Sequence, residues 1–303
     1  MKVFLTGASG FIGRHLAKQL IKEKHEVIAA VRNSTDKSKI PSGCQIVTVD
    51  FFSVSDFSKQ LDGIDAVFHL AGAVKASSSE EFDMINAGIT AALVNAVKQT
   101  TPNALFIFMS SQAAAGPNGT NPLSSYGKSK LLAEQVTTKL SRYVLVRSPA
   151  ALGNDDPETE SFYNSARRGI TIALGNSNLK FCVIAISDIT DFLVFLLNCS
   201  KAEGKILQPS LPNLVSWKEI HKALEKAVNR RILRIPIPSF IVYSAGFLGE
   251  GLARLTGKLP LLDKEKARDI TVSWLCEQEK VKKITGWKPK LNLDETIKLS
   301  VNK

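Results

Sequence analysis

The chain has 303 residues, 44% of them apolar and 22% charged, a length that supports a substantial core and a balance ordinary for a globular protein. Its formal charge of +11 comes from 39 Lys plus Arg against 28 Asp plus Glu. The lysines are spread along helical faces (Lys18, Lys22, Lys24; Lys280, Lys282, Lys283, Lys288, Lys290) with no aromatic-interleaved stripe, which argues against a nucleic-acid partner while leaving a surface attractive to anions.

The first element is MKVFLTG, a short apolar strand, followed by the loop TGASGFIG from Thr6 to Gly13. Phe11, Ile12, His15, Leu16, Leu20 and Ile21 then recur with helical spacing. Further strands are predicted at EVIAAVR, QIVTVDF, AVFHLAG, ALFIFMSS and YVLVRSP, with helices near 55–61, 80–99 and 125–140 between them. Strands apolar throughout, separated by amphipathic helices, predict an α/β fold: a doubly wound parallel sheet covered on both faces, with ligands at the carboxyl ends of its strands.

After about residue 157 the rhythm changes. Helices are expected near 158–168, 188–198, 216–228, 239–256, 262–275 and 279–285, and FCVIAI is expected to return a strand toward the first domain. The division read from this is a dinucleotide-binding domain over 1–157, joined again by 181–199, and a smaller, mostly helical substrate-binding cap over 158–303. No repeat period or low-complexity tract is present.

Glycines at 7, 10 and 13 stand between a strand and a helix, where backbone N–H groups and the helix N-terminus form an anion site. Gly7 would permit the tight turn, Gly10 the approach of a diphosphate, and Gly13 close packing of helix on strand. Farther on, SSYGKSKLLAEQV sets Tyr126 and Lys130 four residues apart, on one face of a helix. A free tyrosine titrates near ~10, too high for a base at neutral pH. A cation ~4 Å away at an effective dielectric of ~20 contributes about 4 kcal/mol, or ~3 pKa units before desolvation opposes it. Tyr126 is thereby the expected acid/base and Lys130 its tuner.

Together TGASGFIG, Asp50, HLAGAV, Asn86, SSQAA, YGKSK, RSPAALG and the C-terminal ITGWKP resemble, in order, the motifs of the extended short-chain dehydrogenase/reductase superfamily. That group holds sugar-nucleotide epimerases, dehydratases and dihydroflavonol-4-reductase-like or hydroxysteroid-type enzymes. The resemblance implies a Rossmann fold and a catalytic set of Ser111, Tyr126 and Lys130. Ser111 would polarise a substrate carbonyl, with Ser110 as the structural alternative because strand alternation sends the two hydroxyls to opposite faces. The implied cofactor-binding set is Thr6, Gly7, Ser9, Gly10, Phe11, Ile12, Gly13, Arg32, Asp50, Phe51, Leu70, Ala71, Gly72, Asn86, Tyr126, Lys130 and Pro149. Within it Asp50 would accept from the adenine amino group, Ala71 and Gly72 would line the cofactor, and Asn86 with Thr90 would hold the scaffold. His69, in a buried strand, reads as a hydrogen-bonded core residue. No metal is expected, since no two histidines have ligand spacing, and no Gly-x-Ser-x-Gly marks a serine hydrolase.

The second strand ends AAVRN, with Val31 where an NAD-using relative carries Asp and Arg32 next to it. NADP is therefore favoured, with NAD as the alternative. Sugar-nucleotide enzymes of this type carry an Asn and an Arg that hold the substrate diphosphate; the matching positions here are Ala150 and Phe181, with Lys180 beside the latter and Leu152 replacing an aromatic. A dehydratase would carry an acid where Gln112 stands. The cap is apolar around Phe240, Ile241, Val242, Tyr243 and Phe247, and Pro149 with Ala150 would floor the pocket. The reading is an NADP(H)-dependent carbonyl reductase or alcohol dehydrogenase acting on a small, rather apolar substrate. A UDP-sugar 4-epimerase or dehydratase with bound NAD is the alternative, and a non-catalytic dinucleotide-binding regulator a lesser one.

Cys44, Cys182, Cys199 and Cys276 are scattered and read as reduced thiols. The short apolar start shows no secretory signal, and Ile235 to Gly249 is shorter than the ~20 residues of a membrane span. These predict a cytoplasmic protein. A homodimer through the helices near 80–99 and 125–140 is the expected assembly.

Overall fold

In the computed structural model the chain begins with β1 (Lys2–Thr6), α1 (Phe11–Lys22), β2 (Glu26–Val31), β3 (Cys44–Thr48), α2 (Val54–Ser58), β4 (Ala66–His69) and α3 (Ser79–Asp83). A π-helical turn (Met84–Gly88) leads into α4 (Ile89–Thr100), then β5 (Leu105–Ser111), α5 (Ser125–Thr137) and β6 (Tyr143–Ser148). There follow β7 (Ala150–Leu152), α6 (Glu160–Arg167), β8 (Ile170–Leu174), β9 (Lys180–Phe181), β10 (Val183–Ala185), α7 (Ile186–Phe195) and β11 (Lys205–Leu207). The last elements are β12 (Val215–Ser216), α8 (Trp217–Val228), β13 (Leu233–Ile237), α9 (Ser239–Thr256), α10 (Lys264–Asp269), α11 (Gln278–Thr285) and α12 (Leu293–Val301). Residues 1–117, 119, 121–256, 260 and 262–301 are described, 252–255 by backbone alone.

Seven strands form one sheet in the order β11-β6-β5-β4-β1-β2-β3, every pair parallel. Strand alternation explains its two cores. Val3, Leu5, Val27, Ala29, Phe68, Ile107 and Val146 pack with α1 and α7 on one face. Phe4, Ile28, Val67, Phe106, Phe108 and Leu145 pack with α2, α4 and α5 on the other. The order reverses at β1, which pairs with both β2 and β4. A crevice opens there, at the carboxyl ends of the two central strands. A third apolar cluster lies under the C-terminal half, where Tyr163, Leu224, Ile297 and Val301 join α6, α8 and α12.

Several expectations change. FCVIAI, expected as one strand, divides into β9, antiparallel to β12, and β10, parallel to β7 (Ala150–Leu152) within the 1–157 region. The seventh strand is β11, three residues long with Lys205 and Ile206 exposed, too short to show alternation. The helix expected over 262–275 contracts to α10, capped by Asp263, and α12 was not anticipated.

Two of the cysteines are not scattered in space: Cys182 and Cys276, 94 residues apart, meet with Cα atoms 6.0 Å apart, within the span that a disulfide can bridge. The chain after α10 runs beside β9, Trp274 N–H donating to the Lys180 carbonyl (2.8 Å) and Lys180 N–H to Ser273 Oγ (3.0 Å), which brings them together. Cys44 and Cys199 are free thiols.

Candidate active site

Gly7 has φ +82°, and a Cβ on it would lie 2.8 Å from both the Leu70 carbonyl carbon and the Ala71 nitrogen. A Cβ on Gly13 would come within 2.0 Å of the Gly7 carbonyl oxygen. Only glycine allows the strand, the turn and α1 to close this tightly. Gly10 is the N-cap of α1 and supplies no side-chain cap, so the first-turn N–H groups are available to an anion.

The crevice consists of two connected cavities of about 380 and 480 Å³ that share Gly7, Gly10, Leu70, Gly72 and Ala73. Ser9, Val31, Arg32, Phe51, Ala71 and Lys75 line the first. Phe11, Ile12, Gly13, Tyr126, Lys130 and Pro149 line the second. Asp50 lies outside both, in a side recess with Arg32, Asn33 and Phe52. Its Oδ1 accepts from Phe52 N–H at 3.0 Å.

Thr6 and Asn86 do not line the crevice; they support its floor. Ala71 N–H donates to Thr6 Oγ1 (3.2 Å), and Thr6 Oγ1 lies 2.7 Å from His69 Nδ1. His69 Nε2 lies 2.9 Å from Thr90 Oγ1, which itself donates to the Asn86 carbonyl (2.6 Å). With Thr90 Oγ1 spending its proton on Asn86, Nε2 carries the ring hydrogen, and Thr6 donates to Nδ1. Burial, reinforced by Lys130, pushes His69 down to about 3, so the ring is neutral. Asn86, inside the π-helical turn, accepts from Ala73 N–H at 2.8 Å and donates to Ser129 Oγ at 2.8 Å.

Ser124 caps α5, which carries Tyr126 and Lys130. The Ser111 hydroxyl lowers the Tyr126 phenol through a side-chain hydrogen bond and accepts from Ala113 N–H (3.2 Å), but Ser111 is not among the described residues lining the second cavity; Ser110 lines it, with its Oγ donating to Glu134 Oε1 at 2.5 Å. The buried Lys130 ammonium donates to the Met109 carbonyl (2.7 Å) and sits 4.4 Å from the Phe108 ring centroid. Burial lowers Lys130 to about 8, opposed by Glu134 one turn along α5. The tuning expected of Lys130 is not what moves Tyr126. Burial raises the phenol, Ser111 lowers it, and the Glu158 and Asp269 carboxylates raise it further. Tyr126 is therefore a protonated donor at neutral pH.

Side chains that sequence reasoning missed surround this pair. Arg147 on β6 grips Glu134 through Nε–Oε1 (2.9 Å) and Nη2–Oε2 (2.7 Å). The spacing Tyr126, Lys130, Glu134 was its available signal. From α10, Glu265 accepts from Ser125 N–H (2.7 Å) and Asp269 from Ser124 Oγ (2.9 Å) at the start of α5. Asp156 and Glu158 line the Tyr126 cavity, and Glu158 pairs with Lys75 at 3.3 Å. The cap residues around Phe240 do not line it: Phe240, Ile241, Tyr243 and Phe247 are exposed and Val242 is buried. Nor does Ala150 floor it; Ala151 joins Pro149 there, because β7 turns alternate side chains away.

Such a doubly wound sheet, with a glycine loop at its switch point and a Tyr-Lys pair across the crevice, defines a dinucleotide-binding α/β protein. The sequence profile of the NAD dependent epimerase/dehydratase family matches residues 3–204, and the chain belongs to that family, within the extended short-chain dehydrogenase/reductase superfamily. It is 26% identical over 272 residues to ceramide reductase of Caulobacter vibrioides, covering 88% of this chain and 83% of that protein. It is 26% identical over 323 residues to UDP-glucose 4-epimerase of Vibrio cholerae, covering 98% and 93%. Among solved structures, UDP-glucuronic acid 4-epimerase from Bacillus cereus in complex with NAD superposes with a TM-score of 0.76 at 19% identity, covering 99% of this chain and 97% of that one.

Proposed function

We propose that this protein is an NADPH-dependent reductase of an uncharged, apolar carbonyl compound. The carrying observation is the lining of the Tyr126 cavity. Phe11, Val74, Met109, Pro149, Ala151 and Pro157 surround the pair, Asp156 and Glu158 stand at its edge, where Glu158 is neutralised by Lys75 and Lys266, and Lys130 is the one cationic side chain among the described residues lining it. A nucleotide-sugar diphosphate would need further cations there, and the residues at the expected positions are Ala150 and Phe181, the latter set edge-to-face against Trp217 with ring centroids 5.2 Å apart.

The residues suit a nicotinamide dinucleotide: Gly7 and Gly13 let the loop and α1 close on the strands, Gly7 and Gly10 line both cavities, and the α1 N-terminus suits a diphosphate. Arg32 faces the first cavity beside Val31, favouring a 2′-phosphate over an unmodified ribose. When bound, the nicotinamide supplies the hydride. Ser111 and Tyr126 hold the carbonyl oxygen between two hydroxyls. Tyr126, with its proton retained by burial, donates it to the oxygen as the carbonyl carbon is reduced, and the Lys130 ammonium supports the charge left on the phenol.

The relative named ceramide reductase favours this reading, whereas the one named UDP-glucose 4-epimerase, aligned over nearly the full chain, favours a second: epimerisation through bound NAD. NADPH absorbance followed with a panel of ketones and aldehydes of increasing chain length separates them. Turnover that improves with apolar length supports the reductase. Interconversion of UDP-glucose and UDP-galactose by protein purified with NAD bound overturns it. Dimerisation through α4 and α5 is part of the same proposal, tested by light scattering.

A further inference from the structure

We infer that the outer face of the cap is a docking surface for an anionic lipid bilayer, on which the protein lies without spanning it. β8 and β13 form a two-stranded parallel ribbon with Leu233 opposite Ile170 and Ile235 opposite Ile172. Alternation places these four side chains on one face, and all are exposed, Leu233 by 64%. Thr171 and Ala173, between them, are buried against the cap.

The chain leaves β13 through Pro238 and enters α9 directly. Phe240, Phe247 and Leu248 there are 68%, 62% and 69% exposed. Positions 240, 244, 247 and 248 share one helical stripe, with Ile241 beside it. The opposite face carries the buried Val242 and the close approach of Gly246 to Asp263 and Ala267 of the α10 segment. Exposed aromatic and aliphatic side chains clustered on each of these two consecutive elements, with the Lys264 ammonium 3.9 Å from the Phe247 ring centroid, mark an interaction surface.

Charge selects the partner. Residues 161–187 and 226–249, which include the ribbon and most of α9, carry five Arg, two Lys and no Asp or Glu; the lysines, Lys180 and Lys226, are paired with Glu219 and Asp294, which leaves the arginines to set the charge. Arg168 and Arg231, next to the ribbon's first residues, are exposed, and neither has an ion-pair partner among the described residues. An apolar face edged by unopposed arginines is complementary to acyl chains beneath anionic headgroups. No helix among the described residues is long and apolar enough to cross a membrane, so the contact is peripheral. Within the cap, α10 packs on α9 and also bonds Ser124 and Ser125 at the start of α5, so this surface lies one helix layer from the Tyr126 helix.

The full chain is tested by flotation with vesicles of phosphatidylcholine alone and of phosphatidylcholine with about one third phosphatidylglycerol. Binding to the anionic vesicles is expected, weakening with salt. It should fall about tenfold in Phe247→Ser/Leu248→Ser and likewise in Arg168→Glu/Arg231→Glu, while thermal melting and NADPH affinity stay unchanged. No binding to anionic vesicles overturns the proposal, as does binding that survives both double variants. So does light scattering that shows the apolar substitutions turning a dimer into a monomer, which would make a second copy the occupant. NADPH consumption tests the reductase and flotation tests this surface, so either can fail alone.

Discussion

Glu134 and Arg147 meet in a bidentate pair whose side chains are only 3% and 17% exposed, and Ser110 shares the same carboxylate. The pair ties α5, with Tyr126 and Lys130, to β6 and to the end of β5. Breaking one partner leaves a buried charge, a loss of about 3–5 kcal/mol, whereas apolar replacement of both is often tolerated. Arg147→Met should therefore lower stability in urea melts by about that amount, and Glu134→Leu/Arg147→Met should recover most of it. A single variant as stable as the parent would remove the proposed clamp.

Lys130 gives the activity its alkaline limit. Its folded value of about 8 lies below the usual lysine value, so the ammonium is present below that pH and lost above it. Activity with NADPH should decline as pH rises through about 8. Glu134 acts to keep Lys130 charged, so Glu134→Gln should move the limit downward. A profile that is flat through this region in both proteins would contradict the assignment.

Tyr126→Phe removes the donated proton and the hydroxyl paired with Ser111. A loss of about 10²–10⁴ in kcat is expected, with NADPH affinity, measured by fluorescence, changed little. Ser111→Ala should lose less, since it removes one of two hydroxyls on the carbonyl oxygen. Turnover close to that of the parent in Tyr126→Phe would eliminate the acid role.

Arg32 should discriminate between the cofactors. A hydrogen bond to a charged group contributes about 1.5–3 kcal/mol, so Arg32→Ala should weaken NADPH binding by about tenfold or more and leave NADH nearly unaffected. Equal losses for both would point to a general electrostatic role.

Thiol titration tests whether the adjacent Cys182 and Cys276 are bonded. Denatured, unreduced protein should show the two thiols of Cys44 and Cys199, and reduction should release those of Cys182 and Cys276. Four thiols without reductant would uphold the sequence reading.

By itself the sequence determined the parallel sheet, the glycine loop and the Tyr126–Lys130 face, because each rests on near-neighbour spacing: strands apolar on both faces, three glycines in one turn, two residues one helical turn apart. Ser111 and Ser110 were both legible, and the structure sends one hydroxyl to Tyr126 and the other to Glu134. What only the tertiary structure decided involves partners distant in the chain. Asp269 reaches Ser124 across 145 residues, Cys182 reaches Cys276 across 94, and β11 joins β6 with three residues and no pattern. The apolar residues of α9 illustrate the reason most directly. Periodicity reports that a helix has a greasy side, but only packing determines whether that side faces the cleft, the core or the outside.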